Sequence, residues 1–263
     1  MIFIRNQGRD NLLKGLHRFP FLNLFLSVLL ILCHQSSYAL TFDFVGPDAK
    51  KWFNEFVKHD NAELGAGDAG WELTKDGFTT DDNVGTGHQR IGIYEAKWTD
   101  YTIESKYQYL KFGAHKEAHL YIRWVDQANN YFFRTIGRKN GAGAGSGYSI
   151  EWLRKVGGGD NEGDITDDKK VVGELKEKEL YGLRGEIKGE LLKVEFFKDN
   201  KWREAGQIEY PGTHKKGGVG FGRATAKVAW QYLRVNGKGI PKDNLPVEAL
   251  NRLATTWGKL KRP

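Results

Sequence analysis

The sequence predicts an all-β, antiparallel sandwich, and three observations lead there. About a dozen short segments rich in β-branched and aromatic residues recur at spacings of roughly 8–12 residues. Within them apolar and polar positions alternate with period two, which buries one face of each strand. Glycine is abundant (33) and proline scarce (6) among the 263 residues, with the glycines at turn-like positions rather than in a repeat. No sustained alternation of strand and helix patterns is present, which excludes a parallel α/β sheet.

The first 39 residues read as a secretory leader. Arg5, Arg9, Lys14 and Arg18 form a basic start, Phe19 to Cys33 an apolar run, and Ser37-Tyr38-Ala39 a small-residue cleavage site. The alternative, an uncleaved anchor, asks for about 20 apolar residues, more than this run supplies. Cleavage removes the one cysteine, Cys33, so no intrachain disulfide is expected. The expected product is exported, periplasmic or extracellular, with no stable membrane span after cleavage.

The formal net charge of +7 falls once the basic leader is removed. No basic stripe with interleaved aromatics stands out, so nucleic acid is not an expected partner.

The mature domain is expected over 40–239. Thr41 to Phe44 alternates as a terminal strand. Pro47-Asp48 opens a short helix with Trp52, Phe53, Phe56 and Val57 on one face, which suits a plug for one end of a sandwich. Gly65 to Gly70 reads as a connector, and Trp71 to Gly77 closes on an Asp-Gly hairpin signal. Thr79 to Gln89 reads as a long loop, followed by strand pieces at Arg90–Tyr94 and Ala96–Trp98. The best patterning lies in Tyr101–Phe112, in a separate strand holding Ala118, Leu120, Ile122 and Trp124 on one face, and in Asn130–Thr135. His119, Tyr121 and Arg123 are expected on the opposite face of that second strand. Tyr131 and Arg134 have opposite parity, so only one of them shares their face.

Tyr148–Leu153, Leu180–Ile187, Leu191–Phe197, Gly217–Gly222 and Val228–Val235 read as further strands. The acidic, glycine-rich break from Gly157 to Lys170 reads as a loop. Beyond Gly239 the pattern becomes helical: Val247, Leu250, Leu253, Ala254, Trp257 and Leu260 mark a stripe over 240–263, expected to pack on the sandwich or to dock a partner.

Several segments, in order, carry a resemblance: Trp71 before Asp76-Gly77, W-x-D-Y-x-x-E (Trp98 to Glu104), Tyr121 to Trp124, N-N-Y-F-F-R (Asn129 to Arg134), G-G-V-G-F-G and a final L-R-V. Together they resemble the concanavalin A-like lectin/glucanase superfamily, in particular laminin-G-like and 3-keto-disaccharide hydrolase-type secreted bacterial domains. The resemblance implies a jelly-roll sandwich and a polysaccharide or oligosaccharide partner held on a concave sheet face. On that reading the ligand-binding candidates are His119, Tyr121, Arg123, Tyr131 and Arg134, with His88 and Arg90 at the rim. Aromatic faces stack on sugar rings and arginine forks donate to hydroxyls or carboxylates.

The superfamily holds binding modules and enzymes alike, so activity is argued from the site. The E-x-D-x-x-E glucanase motif is absent. Glu104, Asp126, Glu151 and Glu195 are strand or strand-end carboxylates, yet nothing selects two of them as an acid/base pair. Three functions therefore stay open: a carbohydrate-binding module, a glycoside hydrolase or polysaccharide lyase, and an envelope protein-interaction module. Asp160, Glu162, Asp164 and Asp167 form a candidate Ca2+ loop, since calcium takes six to eight oxygen ligands. His59, His115 and His214 have no zinc-binding spacing with one another.

Overall fold

The computed structural model describes residues 39–57, 70–80, 88–126, 128–138, 147–165, 169–209 and 213–240. The expected leader, nearly all of the 65–70 connector and the expected C-terminal helix lie outside them. In chain order the elements are β1 (Leu40–Asp43), α1 (Ala49–Val57), β2 (Trp71–Thr74), β3 (Gly77–Thr80), β4 (His88–Trp98) and β5 (Tyr101–Asp126). Then come β6 (Asn129–Arg138), β7 (Gly147–Val156), β8 (Gly159–Asp164), α2 (Lys169–Val172), β9 (Leu180–Lys188) and β10 (Leu191–Lys198). β11 (Lys201–Glu209), β12 (Gly217–Trp230) and β13 (Tyr232–Gly237) complete the domain. Every pairing is antiparallel. Among the described residues no helix is long and apolar enough to cross a membrane.

Two long strands, β5 and β12, run through both layers. The first half of β5 pairs with β9 and with β13, and β9 continues to β10 and β11. Its second half pairs with β6, which continues to β7 and β8. β12 accompanies β5 along both halves and adds β4 to the second sheet and β3 to the first. The two halves face each other across a buried aromatic core. Tyr107 and Tyr109 on the first sheet bring their hydroxyls within 2.7 and 2.8 Å of Thr135 Oγ1 on the second. Gly185 on β9 lies so close to Phe133 on β6 that a Cβ there would meet the ring at 2.6 Å. Such contacts make a sandwich, with inner faces interdigitated.

The bend sits where β5 and β12 are most crowded. Thr225 takes φ 49° at a break in the ladder between Ala224 and Ala226. Opposite it, a Cβ on Gly113 would lie 2.1 Å from the Thr225 carbonyl oxygen, and the His115 amide donates to Thr225 Oγ1 at 2.8 Å. Only glycine permits that approach. The two stretches Tyr101–Phe112 and Ala118–Trp124, expected as separate strands, are therefore one bent strand.

The helix expected after Pro47-Asp48 is α1, and it caps one end of the core. Trp52 and Phe56 are buried, with Phe42 edge-on to both and Phe56 stacked on Phe221 at 5.6 Å and 19°. The acidic break does not remain a loop. Gly157 and Gly158 both take positive φ, 57° and 85°, which fits a two-residue hairpin turn and lets β8 pair with β7.

Phe221 touches Phe44, Phe56, Phe78 and Trp230 at centroid distances of 5.2 to 5.6 Å and is fully buried. Phe221→Ala is expected to lower unfolding stability by about 3–5 kcal/mol in a denaturant titration. A loss below about 1 kcal/mol would show that the aromatic plug is not part of the cooperative core.

Candidate functional site

The glycine-rich string Gly217–Gly222 shapes the outer face of the second sheet. Val219 and Phe221 point into the core, so Gly218, Gly220, Gly222 and then Ala224 stand on the other side. The same parity places Gly92, Arg90 and His88 of β4 opposite Gly220, Gly222 and Ala224. On β5 it places Trp124, Tyr121, His119 and Glu117 opposite Gly218, Gly220, Gly222 and Ala224. The missing side chains leave a trough that the Trp124 ring fills, since a Cβ on Gly220 or Gly92 would lie 2.6 or 2.9 Å from it. Tyr121, Trp124, Phe132 and Leu153 form a small apolar cluster there, separate from the main core. The Arg90 guanidinium stands 5.9 Å over the Tyr121 ring and 5.8 Å over that of Trp124.

Next to this patch lies a buried charged cluster. The Arg134 guanidinium donates from Nη1 to Glu117 Oε2 at 2.9 Å and from Nη2 to Glu151 Oε2 at 2.7 Å. His119 Nε2 lies 2.9 Å from Glu117 Oε2, and Nδ1 lies 3.3 Å from the Tyr121 hydroxyl. The His119 ring stacks on Phe132 at 4.9 Å, and the exposed His88 ring is centred 5.3 Å from it. Register explains the convergence. Arg134 of β6 stands directly between His119 of β5 and Glu151 of β7.

No protein-family model and no curated protein matches the sequence. Solved structures do. The carbohydrate binding module CBM66 from Bacillus subtilis superposes with a TM-score of 0.50 at 17% identity, over 65% of this chain and 92% of that one. The Man-bound exoplasmic/lumenal domain of VIP36 reaches 0.48 at 11% identity, over 67% and 85%. The fold is an antiparallel jelly-roll β-sandwich, shared with that carbohydrate binding module.

Within this jelly roll the sequence-predicted residues separate into groups. His119, Tyr121, Arg134, His88 and Arg90 come together on the outer face as described. Tyr131 points into the sandwich, where its hydroxyl accepts from the His214 amide at 3.0 Å. Arg123 does not share the face of His119 and Tyr121, contrary to the alternation. A bulge places Ile122 and Arg123 of β5 against Val219 alone, and Arg123 takes φ 45°. The extra residue reverses parity, so Trp124 turns outward and Arg123 turns to one end of the sandwich. Its guanidinium there donates to the carbonyls of Thr99, His214 and Gly189. Asp160, Glu162 and Asp164 lie on the β8 backbone, but their side chains, like all of Asp167, are outside the described residues.

Glu117 is not among the candidates the sequence offers, and Glu151 is among them only as a strand carboxylate. The signal for the first was the E-A-H step, which puts Glu117 and His119 on one face of a strand. The pairing of Glu151 with Arg134 depends on strand neighbours and has no local signal.

The burial that acts to raise the Glu117 carboxyl is outweighed by its hydrogen bond to His119 and by nearby positive charge, so it falls from 4.5 to about 2. Burial in turn lowers His119 from 6.5 to about 4. At neutral pH His119 is therefore uncharged, and Arg134 is the cation that keeps Glu117 ionised. Burial pushes the Tyr121 phenol up to about 12, so it stays a neutral partner for His119.

Two expectations follow from these charges. Arg134→Ala strands Glu117 and Glu151 side by side and is expected to cost about 3–5 kcal/mol, part of which Glu117→Gln restores. Acid weakens the fold in two steps, because the unfolded chain takes each proton first. The His119 contribution fades as pH falls from 6.5 toward 4, and that of Glu117 as it falls from 4.5 toward 2. Stability measured by denaturant between pH 7 and 4 is expected to drop about 2–3 kcal/mol less in His119→Phe than in the wild type. Equal slopes would show that His119 is not buried neutral.

Proposed function

We propose that this protein binds a carbohydrate on the outer face of its second sheet, at the mouth formed by His88 and Arg90. The observation that carries the reading is the rim itself: exposed His88 and half-buried Arg90 stand against the buried Glu117–His119–Arg134–Glu151 cluster and the buried Tyr121–Trp124–Phe132 patch, which hold them in place. Sugar hydroxyls both donate and accept, and such a rim offers them an imidazole and a guanidinium fork. The shared fold supports the same reading, since the superposed Bacillus subtilis domain is a carbohydrate binding module. The basic, apolar leader at residues 1–39 supports export to the periplasm or the outside of the cell.

Glu117 is not placed to act as a general acid, which must carry a proton at working pH, because this carboxyl is held ionised down to about 2. Its place is that of a fixed acceptor.

The test is retention on a polysaccharide panel, with and without chelator to read any contribution from calcium at Asp160, Glu162, Asp164 and Asp167. Saturable retention without new reducing ends or unsaturated products is expected. Arg90→Ala should weaken it by about 10- to 100-fold, the loss of one or two charged hydrogen bonds, and His88→Ala by about 3- to 10-fold, the loss of a neutral one, since burial lowers the His88 pKa, with thermal unfolding unchanged. No retention across the panel, or retention indifferent to both substitutions, would sink the site. Product release would replace binding by catalysis.

A further inference from the structure

Ala224 on β12 has a residue opposite it on each side, Glu117 of β5 and His88 of β4. Two strand spacings separate those backbones, about 9.5 Å. Side chains of that length meet in the middle only over something as small as a methyl group, and Ala224 supplies it. His119 stands two residues from Glu117 on the same face, opposite Gly222. The result is a compact donor set: the ligating atoms of His88, Glu117 and His119 all lie within 4.8 Å of one another. The closest pair, His119 Nε2 and Glu117 Oε2, is already at 2.9 Å.

We propose that His88, Glu117 and His119 form a binding site for a divalent transition-metal ion, with Zn2+ the best fit to two imidazoles and one carboxylate. Zinc holds imidazole nitrogen at about 2.0–2.1 Å and carboxylate oxygen at about 2.0–2.2 Å, so its donors stand about 3.3–3.5 Å apart. Closing the set to those spacings asks for shifts of about 1 Å, with the His119–Glu117 pair opening slightly from 2.9 Å and His88, exposed at the start of β4, moving in. The two buried donors are already oriented by the protein. Without an ion the neutral His119 ring donates from Nε2 to Glu117, 2.9 Å away; an ion would take the place of that proton, and with the proton moved to Nδ1 the ring would donate to the Tyr121 hydroxyl 3.3 Å away. Arg134 fixes the Glu117 carboxylate while Glu151 engages the same guanidinium, so the arginine charge is shared between two carboxylates. A carboxylate has about four lone-pair sites, enough for Arg134 and a metal together.

Two imidazoles discriminate against calcium and magnesium, which take oxygen ligands. Three protein donors also leave a fourth position, on the side of the exposed His88, for water or a ligand oxygen. The site shares His88 with the carbohydrate reading and does not depend on it.

Chelator-stripped protein would be titrated with Zn2+ by calorimetry, assayed for metal content after desalting, and loaded with Co2+ for its visible d–d spectrum. One equivalent of Zn2+ and a tetrahedral or five-coordinate Co2+ spectrum are expected. His88→Ala removes an exposed donor and should weaken binding more than about tenfold, while thermal unfolding without metal stays as in the wild type. His115→Ala, an exposed histidine outside the set, should bind as the wild type does. Substoichiometric binding, or binding that survives His88→Ala, would overturn the assignment. No glycan is present in these measurements, so a failed polysaccharide panel and a failed metal site are told apart.

Discussion

The structure depends on one antiparallel pair. β5 and β12 stay hydrogen-bonded to each other through both layers of the sandwich, and every other sheet strand is attached to one of them directly or through a neighbour. A pair that belongs to two facing sheets must bend, and the bend requires a backbone approach that a Cβ at Gly113 would block. Once β5 has turned, its inner residues face themselves across the core: Tyr107 and Tyr109 from one half, Leu120 and Ile122 from the other. The core and the outer polar face are thus set by the same strand.

That arrangement explains how charged groups come to be buried outside the main core. Glu117, His119, Arg134 and Glu151 occupy the side of the second sheet that points away from the sandwich, yet all four are nearly inaccessible. Their desolvation is tolerable because each group meets a partner, with Arg134 shared between two carboxylates and His119 uncharged. A cluster of this kind is costly to disturb. Its outer edge differs, because His88 is exposed and Arg90 half-buried. Fixed inner groups beside an accessible rim are the arrangement on which the proposed carbohydrate and metal sites both rest.

Much of the fold was legible residue by residue. Alternation in Tyr101–Tyr109 separated core from surface correctly, the helical spacing of Trp52 and Phe56 placed α1, and Gly-Val-Gly-Phe-Gly alternated small outside with large inside. The differences have separate origins. Arg123 and Trp124 exchanged faces because a single extra residue in the ladder reverses parity, and nothing in the local pattern announces a bulge. The second strand of the β7–β8 hairpin resembles a loop in sequence because its residues are glycine-rich and acidic, whereas its pairing comes from a turn that takes positive φ at two successive positions.

Sequence by itself determined what neighbours in the chain can encode: a period of two, the turns, the all-β class, and the presence of Glu117 and His119 on one face. Those features act over a few residues and need no partner strand. Tertiary structure alone decided which strands lie side by side. It put His88 and Glu117 on either side of Ala224, and Arg134 between His119 and Glu151. Those meetings join residues far apart in the chain, and they are fixed by how the whole core packs and by where β5 bends and bulges.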